Sequence, residues 1–278
     1  MRAVIIQGDS TQPCPDHLRG RFTCSVTSPG YFGLRSYGAD YGVEPDPSEV
    51  GFAVSMERYV ESIVAIGRNV RDALTPQGVF WLNIGDTNSG SGGAGGDHHR
   101  GGTRERLHGY RQGETGIAPM QRCLVPSRVA LALQQDGWLV RHWITWDKGS
   151  PKREDSRHVR RPFFSTEVIL MLSVGREYFW DVDHHESLPI DQRGDVWRMA
   201  PYRGRRRHSA PFPAELPQRC IALTSRPGDW VYDPCAGSGT TIEAAKNLGR
   251  HGLGVDLYGG LEWQGVAQRD GGPHPEGG

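Results

Sequence analysis

The chain has 278 residues, long enough for one α/β core with sizeable loops. Its 32 basic and 32 acidic residues cancel, so there is no global basic field, and any nucleic-acid surface must be a local patch. Five cysteines without C-x-x-C spacing argue for a reducing compartment and against a zinc site or disulfide framework, and no apolar run approaches the ~18 residues that span a membrane.

Ala3 to Ile6 reads as a short strand running into Gly8-Asp9, and Thr23 to Val26 as a second strand ending in Ser28-Pro29-Gly30-Tyr31. A polar loop with Pro45 and Pro47 follows. Met56, Tyr59, Val60, Ile63, Val70 and Leu74 then recur at helical spacing, and Thr75-Pro76-Gln77-Gly78 stops that helix. Val79 to Asn83 is a buried strand ending in Ile84-Gly85-Asp86-Thr87. Residues 88–120, rich in Gly with Ser, Arg and His among them, are expected to form a long flexible loop. Pro126 to Asp136 reads as a helix, Trp138 to Trp146 and Val168 to Leu172 as strands, followed by the aromatic run Tyr178 to Asp181. Residues 181–207 read as an irregular insert ending in Arg203, Arg205, Arg206 and Arg207. Such a cluster can clamp backbone phosphates, although a solvated charge run is its usual explanation.

The densest signal comes last. The apolar run Trp230-Val231-Tyr232 leads into Asp233-Pro234-Cys235-Ala236-Gly237-Ser238-Gly239-Thr240-Thr241 and then a helix through Leu248. Glycines let the backbone approach a ligand, and a helix N-terminus presents free N–H groups. A further strand ends in Asp256, placed to accept hydrogen bonds from both hydroxyls of a ribose. A P-loop would need Lys before Thr240, and a dinucleotide turn would need Gly at 242, where Ile stands. Strand, glycine turn, helix, strand and acid together make a nucleoside-binding half of a doubly wound sheet.

DPCAGSGTT resembles the DPFAGSGTT signature of S-adenosylmethionine-dependent DNA amino-methyltransferases. The stretch from Val26 to Gly38, VTSPGYFGLRSYG, resembles that family's VTSPPYFGLRDYG, where Ser-Pro-Pro-Tyr is the catalytic tetrapeptide. Weaker likenesses are Asn83 to Thr87 (NLGDS in the family), Trp146 to Pro151 (W-x-K-x-x-P) and His208 to Leu216 (H-x-A-x-F-P-x-x-L). Catalytic loop first and cofactor loop last is the circularly permuted order of the β group. The resemblance implies a Rossmann-like α/β fold, an open, mostly parallel seven-stranded sheet with helices on both faces. It implies S-adenosyl-L-methionine wrapped by Asp233, Pro234, Cys235, Gly237, Gly239, Thr240 and Thr241. Phe212 and Pro213 would lie beside the cofactor, Asp9 near its adenine and Asp256 on its ribose.

The same likeness assigns catalysis to Ser28, Pro29 and Tyr31. An exocyclic amine is a poor nucleophile because its lone pair is delocalised into the ring. The Ser28 hydroxyl and the Pro29 carbonyl can accept both N–H bonds and favour a pyramidal nitrogen, while Tyr31 stacks on the extruded base. Ser rather than Asp at 28 leans toward N4 of cytosine, with N6 of adenine and a non-catalytic homologue as alternatives. The chain departs from the family at Gly30, where a second Pro is expected, and at Cys235, where Phe is usual. Arg35, Lys148, Arg203, Arg205, Arg206 and Arg207 are the expected contacts to double-stranded DNA. Residues 1–258 would form the methyltransferase domain, with 181–207 as target-recognition insert and 259–278 as a flexible tail. The expected setting is the cytoplasm, on a bacterial nucleoid or in a virus-infected host cell, with the chain a monomer or homodimer.

Overall fold

Residues 79 to 84 set the layering of the fold. Phe80, Leu82 and Ile84 point to one face of a strand and Val79 and Trp81 to the other, and all five are fully buried. A strand buried on both faces needs helices above and below it, and each such apolar side chain contributes about 1.5–3 kcal/mol. The structure, a computed structural model, describes residues 1–32, 46, 48–52, 55–89, 116–118, 120–149, 160–202 and 212–259.

The strands are β1 (Ala3–Gln7), β2 (Phe22–Thr27), β3 (Leu74–Ile84), β4 (Leu139–Asp147), β5 (Thr166–Ser173), β6 (Val196–Arg198), β7 (Trp230–Asp233) and β8 (His251–Asp256). The helices are α1 (Met56–Ala73), α2 (Val125–Gln135), α3 (Val182–Ser187), α4 (Glu215–Thr224) and α5 (Thr240–Asn247). The sheet order is β1-β8-β7-β2-β3-β5-β4-β6, and β5 alone runs against the rest. Helices α1 and α2 cover one face through Tyr59, Ile63, Val70 and Val129. Helices α4 and α5 cover the other through Leu216, Ile221, Ala244 and Ala245.

Among the described residues the sheet therefore has eight strands, one more than the sequence reading gives. The extra strand is β6, three residues inside the stretch 181–207, which pairs parallel to the edge strand β4. The described part of that stretch, 181–202, is accordingly more regular than the sequence reading expects. Asp181 caps α3 by accepting a hydrogen bond from His184 N–H at 2.8 Å. Arg219 on α4 holds the region down, donating to Gln192 Oε1 at 3.1 Å and lying 4.9 Å over the Trp197 ring.

Helix α1 starts where Ser55 accepts from Arg58 N–H and ends at Ala73, so Met56, Tyr59, Val60, Ile63 and Val70 of the expected stripe lie on it while Leu74 opens β3. Thr75 to Gly78 do stop it, but they belong to β3. Its pairing with β2 jumps from Phe22–Leu74 to Cys24–Val79, so the four residues between bulge from the ladder. At the base of the Gly-rich loop, Ser89 and Met120 exchange backbone bonds with Gln121 and Ser89, which draws residues 89 and 120 together. Residues 90–115 and 119 lie outside the described residues, as does the stretch 260–278 of the expected tail. Among the described residues no helix is long and apolar enough to cross a membrane, and all five cysteines are free.

Candidate active site

Strands β2, β7 and β8 end side by side at one edge of the sheet, the edge where open α/β sheets bind ligands. After β7 the chain turns through Gly237 (φ +48°) and Gly239 (φ +79°), left-handed conformations that favour glycine, and enters α5. Gly254 lets this turn dock, since a Cβ there would lie 2.6 Å from Ala236 Cβ. Asp256 fastens the turn: its Oδ2 accepts from Gly237 N–H at 3.1 Å, and its Oδ1 accepts from Tyr258 N–H at 3.0 Å. From the other side, Ser10 donates to the Pro234 carbonyl at 2.5 Å. The result is a cleft of about 140 Å³, running from Asp9 and Asp256 past Asp233 and Gly237 to Ser28 and Gly30.

Asp233 is 2 % exposed, and its Oδ1 accepts from the Thr27 hydroxyl at 2.6 Å and Cys235 N–H at 3.1 Å. Desolvation outweighs these bonds and, with Asp256 nearby, lifts its pKa to about 6. Between the ordinary value of 3.8 and about 6 the folded state holds a proton that the unfolded state has lost. This group's contribution to stability therefore falls as pH rises through that window, by about 3 kcal/mol in all. Asp233→Asn removes that burden and keeps an oxygen for Thr27. Relative to the parent, the cofactor-free variant should gain stability in urea titrations as pH is raised from about 4 to about 7, by up to about 3 kcal/mol. A pH-independent difference would mean that the carboxylate is not desolvated. The neighbouring Cys235 thiol is pushed up by burial and by Asp233, so at neutral pH it stays protonated and is no nucleophile.

A second, polar pocket adjoins Ser28. Strand β2 ends beside β3, and β3 beside the start of β5, so residues 28, 83 and 167 meet. Ser28 Oγ lies 3.1 Å from Asn83 Oδ1 and 3.3 Å from Tyr31 Oη. Tyr31 Oη lies 2.9 Å from Asn83 Oδ1 and donates to Glu167 Oε2 at 2.6 Å. Lys148 Nζ pairs with Glu167 Oε1 and sits 5.1 Å over the Trp146 ring.

A family model described as DNA methylase (N6/N4) matches residues 22–261. The chain belongs to the N6/N4 DNA methylase family. The Type II methyltransferase M.SmaI of Serratia marcescens is 35% identical over 262 residues, covering 91% of this chain and 86% of that protein. M.Cfr9I of Citrobacter freundii is 32% identical, over 92% and 83%. Among solved structures, PvuII DNA methyltransferase (cytosine-N4-specific) aligns with a TM-score of 0.66 at 17% identity, covering 92% of this chain and 82% of that one. A putative DNA modification methylase of Thermus thermophilus, complexed with S-adenosyl-L-methionine, gives 0.59 at 22% identity, over 92% and 88%. These structural likenesses establish the shared fold.

This N6/N4 DNA methylase is thus a DNA amino-methyltransferase that uses S-adenosyl-L-methionine. Its cleft fits that molecule. A desolvated carboxylate at Asp233 suits a cationic partner, a glycine turn without side chains leaves room for one, and Asp256 borders the space a nucleoside would take. Asp9, Phe212, Asp233, Pro234, Cys235, Gly237, Thr240 and Asp256 all line the cleft. Pro213, Gly239 and Thr241 stand behind it. The Pro213 carbonyl accepts from Leu216 N–H at the start of α4, Gly239 caps α5, and Thr241 bonds the Val26 carbonyl at 3.3 Å. Their work is to shape the wall.

Other residues of the site escape sequence reasoning. Residues 48–51 form one wall, and buried Glu49 accepts from Tyr258 Oη at 2.6 Å. Tyr258, at the very end of the expected domain, therefore belongs to the cleft. Asn83 and Glu167 complete the polar pocket. Lys148, expected on the DNA, pairs with Glu167 at that pocket while 26 % of its side chain stays exposed. Arg35, Arg203, Arg205, Arg206 and Arg207 lie outside the described residues.

Gly85, after β3, has a steric role. A Cβ there would lie 2.5 Å from Tyr31 Cε2, so the ring rests on bare backbone. Gly85→Ala should displace Tyr31 and cut single-turnover methylation by about a hundredfold, because misplacement by about 1 Å costs that much. Cofactor affinity measured by calorimetry should stay within about twofold, since Gly85 does not line the cofactor cleft. Undiminished turnover would mean that the ring position does not matter.

Proposed function

We propose that this methyltransferase modifies N4 of cytosine in duplex DNA. One observation carries the reading: Ser28 and Gly30 open into the same cleft as Asp233, Gly237 and Asp256, so an amine held by Ser28 would face a methyl donor held by the glycine turn. When bound, S-adenosylmethionine supplies a methyl carbon made electrophilic by its sulfonium. Asp233, Cys235 and the Gly237 turn would hold its methionine part, and Asp256 its ribose. An extruded base would lie against Tyr31. Its amine would donate to Ser28 Oγ and the Pro29 carbonyl, which frees the nitrogen lone pair and aims it along the cleft. Positioning then supplies most of the rate.

Serine rather than Asp at 28 carries the lean toward cytosine from the family resemblance. The Gly30 and Cys235 departures remove no hydrogen-bonding group from this arrangement. Gly30 is not in the left-handed region, so the sign of its φ does not call for glycine. Arg203, Arg205, Arg206 and Arg207, with Arg35, are assigned to DNA phosphates, and the docked segment 181–202 to target recognition. We place the enzyme in the cytoplasm, on chromosomal or viral DNA.

The test is product identity. DNA from cells expressing the protein, hydrolysed to nucleosides and analysed by mass spectrometry, should contain N4-methylcytosine. N6-methyladenine would reassign the base, and unmodified DNA would favour a homologue that binds without turnover.

A further inference from the structure

Methylating an amine leaves a proton to be disposed of. A base stacked on Tyr31 with the cofactor cleft filled would cover Ser28, the first oxygen that could receive that proton from the amine. Ser28 does not stand alone, because its hydroxyl begins a chain of oxygens. Ser28 Oγ to Tyr31 Oη is 3.3 Å, and Tyr31 Oη to Glu167 Oε2 is 2.6 Å. Each hydroxyl carries one proton. Glu167 Oε2 at 2.6 Å is nearer to Tyr31 Oη than Asn83 Oδ1 at 2.9 Å, which assigns the Tyr31 proton to Glu167. The Tyr31 oxygen is left to accept from Ser28, whose hydroxyl also reaches Asn83 Oδ1 at 3.1 Å and must turn from it to feed the chain. Asn83 closes the side of the chain, with Nδ2 donating to the Val168 carbonyl at 3.1 Å. The far carboxylate oxygen of Glu167 meets Lys148 Nζ, whose side chain is 26 % exposed against 13 % for Glu167. The chain of groups thus runs from the amine-binding hydroxyl to the protein surface.

Resting on the amine-methylation reading above, we infer that the proton released from the target amine travels through Ser28 and Tyr31 to Glu167. As the nitrogen gains its methyl group, one N–H bond breaks and its electron pair stays on nitrogen. The proton passes to Ser28 Oγ, the Ser28 proton passes to Tyr31 Oη, and the Tyr31 proton passes to Glu167 Oε2. The carboxylic acid so formed returns its proton to water at the mouth beside Lys148, and the hydroxyls reset. Glu167 touches no reacting atom and works through the two hydroxyls.

Two substitutions cut the chain and spare its shape. Glu167→Gln keeps an oxygen for Tyr31 Oη but is no proton acceptor, and Tyr31→Phe keeps the ring and loses the hydroxyl. On a duplex carrying the site the parent methylates, each should slow single-turnover methyl transfer by about a hundredfold, the order associated with a positioned acid or base. The double variant should be no slower than either single one, because a broken relay cannot be broken twice. Dissociation constants for DNA and cofactor should be unchanged, as should the fluorescence of pyrrolocytosine at the target position, which reports base extrusion without turnover. Parent-like rates in Glu167→Gln overturn the relay and leave the amine reading intact. Additive losses, or lost base extrusion, assign Glu167 and the Tyr31 hydroxyl to packing and overturn it too. If the parent makes no N-methylated base, the relay and the reading it rests on both fail.

Discussion

Ser28→Ala should lower single-turnover methylation by about a hundredfold or more, with cofactor affinity held within about twofold. Losing one preorganised hydrogen bond to a reacting group costs about 10²–10³ in rate in other enzymes. Here the loss is compounded, because Ser28 Oγ also lies against Asn83 and Tyr31 and its removal leaves both facing a gap. Rapid-quench assays with labelled cofactor separate the rate from binding. A variant as fast as the parent would show that the amine is held elsewhere.

Asp256→Ala should weaken S-adenosylmethionine binding at least tenfold by calorimetry. The carboxylate would lose its bonds to the ribose, each worth about 1.5–3 kcal/mol as a charge-assisted hydrogen bond. It would also release Gly237 N–H and Tyr258 N–H, which it holds in the structure. The loss therefore has two parts. Asp256→Asn keeps one oxygen and should fall between parent and Ala variant. Equal affinity in all three would remove Asp256 from the site.

The cofactor turn was readable in the sequence because its determinants are local. Asp233 to Thr241 combine a strand end, two left-handed glycines and a helix start within nine residues, and the structure places them so. The helix α1 stripe was readable for the same reason. What escaped depends on residues far apart in the chain. Glu49 and Tyr258 meet across 209 positions, and Ser28 and Asn83 across 55. No spacing rule carries such pairs, since only the strand order brings them together. Strand β6 is three residues long, too short for an alternation to show, and exists because β4 offers it an edge. The pairing of Lys148 with Glu167 was not legible either, because the two residues meet only in space.

Among the described residues strand β1 pairs with β8 alone, Ala3 against Gly252 through Gln7 against Asp256. During synthesis, the segment that emerges early must wait about 250 residues for its sheet neighbour. Until then it has no ladder to join, and such long-range closure is slow. The cofactor cleft has the same dependence, because Ser10 anchors Pro234 while Asp256 fixes the turn between them. A ribosome-bound chain stalled before β8 would consequently be unable to bind S-adenosylmethionine, however well its catalytic loop had formed. Methylating capacity would then appear in a single step, once β8 has been made and has joined the sheet.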